Sequence, residues 1–291
     1  MRHAGPTAFP ETCLARNPCP PQERPRVTAA ASAVMRVMID AARKAGRGLA
    51  RDFGEVGELQ VSRKGAADFV SAADLKAEQT LMEELLKARP GYGFLGEERG
   101  LVEGTDKTHV WIVDPLDGTT NFLHAMPHFA INIALQREGQ IVAGLTFNPA
   151  NGDLFWSERG KGAFLNDRRL RVAARTRLDE AVFATGIPFL GHGQHARFLK
   201  ELHQISQRVA GVRRFGAAAL DLAWVAAGRF DGFWERDLKP WDMAAGLLMV
   251  REAGGVATDA EGGDTALETG SICAANSTLH PLLLERLAAA A

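Results

Sequence analysis

Cysteine is scarce in this 291-residue chain. Cys13, Cys19 and Cys273 are too few for a disulfide framework at this size, and the spacing of the first two does not match the usual zinc-binding pairs. A reducing cytoplasm is the expected setting. Long apolar runs are missing as well: none approaches the ~20 residues of a membrane span, so no membrane role is expected. Nor is there an excess of one charge. With 34 basic and 35 acidic residues, the chain carries no electrostatic footprint for general nucleic-acid binding. Residues 1 to 28 hold six of the thirteen prolines, show no helical period and lack the apolar stretch of a secretory signal. They contain arginine but are not amphipathic, which argues against a transit peptide, and they are expected to form a disordered tail. Met35 or Met38 offers an alternative start behind it.

What remains has the composition of an ordinary globular protein, 46% hydrophobic and 24% charged. At 31.4 kDa, two packed subdomains are expected rather than one core. Apolar periodicity predicts helices over Ala29 to Asp52 and Asp74 to Lys87. A short strand near Val61 and a loop carrying Lys64, Asp68 and Asp74 lie between them. Strands follow at Val110 to Val113, Ala130 to Arg137, Ile141 to Asn148 and Asp153 to Glu158, with turns at Glu138-Gly139 and Asn151-Gly152. This is a meander, the signature of a mainly antiparallel sheet. Beyond it, strands at Ala181 to Thr185, Val212 to Phe215 and Phe230 to Trp234 alternate with helices at Gln194 to Val209 and Ala217 to Ala227. Pro240 then breaks the chain, and Asp242 opens a helix over Met243 to Glu252. The expected fold class is α+β: a tail over 1–28, an N-terminal metal-binding subdomain over 29–173, and a smaller C-terminal α/β subdomain over 174–291.

The chemistry concentrates in WIVDPLDGTTNF, Trp111 to Phe122, where an apolar strand runs into a turn bearing Asp114 and Asp117. Two carboxylates this close either share a proton or gather around a cation. The Gly118-Thr119-Thr120 continuation favours the cation, since its N–H groups and hydroxyls suit a phosphate or an ordered water. Upstream, Gly96-Glu97-Glu98 ends a short apolar stretch, and one of its acids should face the same site. Downstream, Asp242 stands at a helix mouth. Taken singly, each acid reads as a turn residue, a surface charge or an N-cap. Together, Glu97, Asp114, Asp117 and Asp242 with the Leu116 carbonyl form a hard oxygen set suited to Mg²⁺ or Mn²⁺ and not to zinc. His124 and His128 are read as surface or core residues because Pro127 breaks their spacing. Arg213 to Gly216, RRFG, reads as solvated charge.

These residues also carry a resemblance. GEE at Gly96 to Glu98, WIVDPLDGTTNF, GAAALDLAWVAAGRFDGFWE from Gly216 to Glu235, and PWDMAAG from Pro240 followed by EAGG resemble the inositol monophosphatase family of Mg²⁺-dependent, lithium-sensitive phosphatases. The resemblance runs from about Ala29 to the C-terminus. It implies a layered α/β/α/β/α sandwich, a homodimer and a phosphomonoester substrate, inositol monophosphate. By position it puts Glu97, Asp114, the Leu116 carbonyl and Asp117 on a first metal, and Asp114, Asp117 and Asp242 on a second. It also implies a third, weaker ion site near Glu97. It implies that Thr119, paired with Glu97, orients the attacking water, and that the Gly118 and Thr119 amides hold phosphate oxygens. Ala218 and Glu235 would line the hydroxyl pocket, with Lys64 and Asp74 at its edge. Relatives often have Gly-Ser-Ala where this chain has Gly216-Ala217-Ala218, so the identity of the polyol is less fixed than the chemistry.

A phosphomonoester dianion resists hydroxide, so the implied mechanism is in-line attack by water made reactive by the ions, without a phosphoenzyme. A haloacid-dehalogenase-type phosphatase places its second aspartate two residues after the first; here the interval is three. Within the resembling family, bisphosphate nucleotidase, fructose-1,6-bisphosphatase and histidinol-phosphate phosphatase remain alternatives. So does a binding role, because one bacterial relative associates with the transcription machinery and RNA. Arg168, Arg169, Arg171, Arg175 and Arg177 are the basic stretch that would serve it, and a solvated loop is the simpler account of them.

Overall fold

The computed structural model describes residues 31–54, 61–64, 68–189 and 191–290, with backbone alone for 61–64 and 68–71. The expectations for residues 1–28, including Cys13 and Cys19, lie outside that range. The chain begins with α1 (Ala33–Gly54), β1 (Val61–Lys64), β2 (Asp68–Ser71), α2 (Ala72–Ala88), β3 (Tyr92–Gly96) and β4 (Gly100–Val102). It continues through β5 (Asp106–Asp117), α3 (Thr119–Leu123), β6 (Ala130–Arg137), β7 (Gln140–Phe147), β8 (Leu154–Glu158), β9 (Gly162–Leu165) and β10 (Arg168–Arg169). The remainder is β11 (Val182–Thr185), α4 (His195–Ser206), β12 (Gly211–Arg213), α5 (Ala218–Ala226), β13 (Gly232–Glu235), α6 (Pro240–Glu252), β14 (Val256–Thr258), α7 (Ala266–Thr269), β15 (Ile272–Ala275) and α8 (Leu279–Ala288).

The meander forms as its alternation demands. An eight-stranded sheet has the order β10-β9-β8-β7-β6-β5-β3-β4, antiparallel throughout except for β3 beside β5. A five-stranded sheet, β12-β11-β13-β15-β14, is parallel on one side of β13 and antiparallel on the other. Successive side chains on a strand face opposite ways, so each sheet buries two faces. In β5, Trp111 and Val113 pack with Met38 of α1 and Leu81 of α2, whereas Ile112 packs with Ala244, Ala245 and Leu248 of α6. In β13, Phe233 joins the α5 and α6 side, and Trp234 meets Phe198 of α4 and Leu283 of α8. The layers are therefore α1 and α2, the large sheet, α5 and α6, the small sheet, then α4 and α8. This is the α/β/α/β/α sandwich that the resemblance implies.

α6 is buried all round because it lies between two sheets, and its small residues let it approach β7 closely. A Cβ on Gly144 would stand 2.8 Å from the Ala245 Cα. Two expectations are corrected here. Pro240 does not break the chain but opens α6 as its first residue, where the missing N–H leaves no bond unmade. Asp242 is accordingly in the first turn, not at its mouth. Met35 and Met38 are both fully buried in α1. Ala245→Leu is expected to overpack the α6–β7 contact and lower stability by about 1–3 kcal/mol, measured by denaturant unfolding; an unchanged midpoint would contradict this packing.

Candidate active site

The register of one strand pair explains why distant acids meet. β3 and β5 run parallel with Gly96 opposite Val113, so Glu97 and Asp114 leave neighbouring strands at the same end. β5 then bulges between Asp114 and Asp117, a device that re-aims side chains at a strand end. On the other side of β5, Asn132 of β6 lies opposite Asp114. Its amide donates to the Trp241 carbonyl at 2.6 Å, and its oxygen accepts the Thr146 hydroxyl at 2.7 Å. Asn132 therefore ties the start of α6, and Asp242 with it, to the strand that carries Asp114.

Each aspartate has one oxygen fixed by a backbone N–H: Asp114 by Leu116 at 2.9 Å, Asp117 by Ala219 at 2.8 Å, and Asp242 by Lys239 at 2.7 Å. Thr119 donates its hydroxyl proton to the Leu116 carbonyl at 3.0 Å. Asn121, which the sequence reading passed over, donates to the carbonyls of His128 at 2.7 Å and Phe215 at 2.8 Å, joining the turn to the approach of α5. Gly118 turns the chain with φ of 88°, and a Cβ there would lie 3.0 Å from the His128 carbonyl.

A cavity of about 480 Å³ opens over these elements, with Glu97, Gly118, Thr119, Glu235 and Asp242 on its wall. Asp114 is buried beneath it, and Asp74, buried in the first turn of α2, lies within electrostatic reach of Asp114. Ala218 does not reach the wall: it is buried at the start of α5, and Gly216 and Arg214 form the wall there instead. The side chain of Lys64 lies outside the described residues. Of the two histidines, His124 is exposed, and His128 stands 3.8 Å from the buried Asp221. Arg214 belongs to the cavity wall and not to a remote solvated patch.

Burial and, after it, like charge set the electrostatics. Burial, followed by Glu97, Asp117, Asp242 and Asp74, pushes Asp114 well above the ordinary carboxylate range. Asp117 is raised by burial and by Asp242, against the opposing Ala219 N–H. Desolvation raises Asp242 to about 6. Glu235 is raised by burial and by Asp221, Asp242 and Asp117, with Arg214 opposing. Among the described residues, no group of three or more acid, histidine or cysteine side chains is drawn together into a finished ligand cage. The donor set nonetheless fits a hard divalent ion: it is all oxygen, holds several carboxylates in electrostatic contact, and offers no sulfur or imidazole on the cluster.

A layered sandwich with an acid-rich cleft where its sheets meet, and a Gly-Thr-Thr turn at the rim, defines a phosphatase of the phosphomonoester-cleaving kind. The chain belongs to the inositol monophosphatase family, whose model matches residues 30–291. It is 72% identical over 256 residues to the inositol-1-monophosphatase of Caulobacter vibrioides, covering 87% of this chain and all of that one. The Nus factor SuhB of Escherichia coli is 41% identical, over 87% of this chain and 95% of its own. Among solved structures, the extragenic suppressor protein suhB of Bartonella henselae superposes with a TM-score of 0.86 at 58% identity, over 88% of this chain and 98% of that one. Gly118→Ala is expected to lower stability by about 1–2 kcal/mol, because an L-residue must enter the left-handed region. Thermal unfolding checks this, and an unaltered midpoint would contradict the turn geometry.

Proposed function

We propose that the chain hydrolyses inositol monophosphate to inositol and phosphate with Mg²⁺ as cofactor, working as a homodimer. The observation that carries this reading is the convergence of acids from three separate segments: Asp114 and Asp117 of β5 lie in electrostatic contact with Glu97 of the β3–β4 turn and Asp242 of α6, which line the cleft. In the proposed assignment Glu97, Asp114, the Leu116 carbonyl and Asp117 hold one ion, Asp114, Asp117 and Asp242 a second, with room for a third near Glu97. Mn²⁺ suits the same oxygens. When bound, these ions neutralise the ester dianion, make water acidic and stabilise the departing alkoxide.

The rest of the work falls to the chain itself. Thr119 has its proton committed to the Leu116 carbonyl, so its oxygen is left to accept a proton from water. Together with Glu97 it turns a water lone pair toward phosphorus. The Gly118 and Thr119 amides face the phosphate oxygens. Glu235, on the opposite wall, accepts hydroxyls of the leaving group, and Asp74 and Lys64 complete that edge in the proposed scheme. Ala217 stands where relatives often carry a serine, so that hydroxyl is missing and Glu235, beside Ala218, carries more of the recognition of the polyol in the proposed scheme.

A second reading has one observation behind it, the 41% identity to a Nus factor. The basic stretch that would serve RNA is partly neutralised: Arg175 pairs with Asp231 at 2.9 Å, and Arg177 pairs with Asp179. Catalysis is therefore the reading we favour. Phosphate release from inositol monophosphate, fructose 1,6-bisphosphate, a 3′,5′-bisphosphate nucleotide and histidinol phosphate, each with Mg²⁺ and with added Li⁺, decides between substrates. Turnover is expected to be greatest on inositol monophosphate and to fall with Li⁺. Asp114→Asn is expected to abolish release while leaving circular dichroism unchanged. Full activity of that variant, or no release from any phosphomonoester, would refute the assignment.

A further inference from the structure

The turn that carries Glu97 is held from behind by a side chain with no role in the scheme above. Glu78 is fully buried in α2, one helical turn after Asp74, so the two acids share a face of the helix. Its Oε2 accepts the backbone N–H of Glu98 at 2.8 Å, and its Oε1 stands 3.4 Å from Nε of Arg99. Arg99 also donates to Gln79, the next residue of the same helix. Gly96 reports the same contact from the other side: a Cβ there would collide with Glu78 Oε2. The carboxylate thus lies against the backbone of Gly96 and reaches residues 98 and 99, bracketing Glu97.

This placement matters because of where strand pairing stops. Gly96 is the last residue of β3 in register with β5, and it pairs with Gly100 of β4, so residues 97–99 form the tip of a hairpin. Hydrogen bonds of the sheet set Gly96 beside Val113 but do not extend to the tip. A buried carboxylate is costly unless bonded, and this one is bonded to the tip.

We propose that Glu78 is a positioning residue that fixes Glu97 relative to Asp114. The proposal rests on the reading of Glu97 as a ligand to a divalent ion. Such outer partners govern affinity because they set the orientation of the group that binds.

Calorimetric titration of the full chain with Mn²⁺ tests it, alongside phosphate release at varied Mg²⁺. Glu78→Met keeps side-chain length and removes the acceptor, whereas Glu78→Gln keeps an oxygen for the Glu98 N–H. Glu78→Met is expected to weaken Mn²⁺ binding about 10-fold or more, and to raise the Mg²⁺ needed for half-maximal release by a similar factor. Glu78→Gln is expected to retain most of the affinity. Unfolding in EDTA monitors the fold. Should Glu78→Met fail to fold, Gly96→Ala leaves Glu78 in place but pushes its carboxylate off the turn, and the same loss of Mn²⁺ affinity is expected. Normal Mn²⁺ binding by the Met or the Ala variant, or equal losses for Met and Gln, would overturn the proposal alone. Absence of Mn²⁺ binding by the unaltered chain would overturn the ion-site reading and this proposal with it.

Discussion

The cost of gathering poorly solvated carboxylates of like charge at one place is the constraint around which this molecule is organised. Burial raises the proton affinity of Asp114, Asp117, Asp242 and Glu235, and neighbouring acids add to it at Asp114, Asp117 and Glu235, so left to themselves they would move apart or take up protons. The fold prevents separation with backbone amides: the N–H groups of Leu116, Ala219 and Lys239 each hold one aspartate oxygen. Those amides come from three different segments. The cluster therefore exists only when the large sheet, α5 and α6 are docked together.

That requirement gives the layers a functional meaning. α6 packs between the two sheets through residues such as Ala245 and Met249, and its first turn delivers Asp242 to the end of β5. Asn132 carries the connection at the level of single bonds, since it sits opposite Asp114 in the ladder and holds the Trp241 carbonyl. α5 does the same for Asp117 through the Ala219 N–H, while Asn121 joins the Gly118 turn to the segment leading into α5. A burial-driven core and a repulsive site are thus stabilised against each other: apolar packing of α5 and α6 offsets what the acids cost.

Much of this was legible in the amino-acid sequence, and the parts that were not share a cause. DPLDGTT announces itself, because an apolar strand ending in two aspartates and a glycine is an unusual string. The meander could be read from alternation and turn residues. Asn132, Glu78 and Asp221 could not, since an isolated polar residue within an apolar strand or helix gives no sign of which distant group it will meet. The parallel pairing of β3 with β5 was equally hidden, because sheet order is a long-range property. β14 and β15 are short and were not anticipated, and α8 lacked a clear signal as well. The start of α6 is harder to read than the presence of Asp242, because Pro240 looks like a breaker in the sequence and is the first helical residue in the fold.

We propose that divalent ions complete this cluster. A crystal structure of the protein grown with Mn²⁺, with anomalous difference density collected at the manganese edge, tests that claim most directly. The account predicts peaks bounded by carboxylate oxygens of Asp114 and Asp117, with Glu97 on one side and Asp242 on the other. Clear density for the protein with no anomalous peak among these four side chains would contradict it.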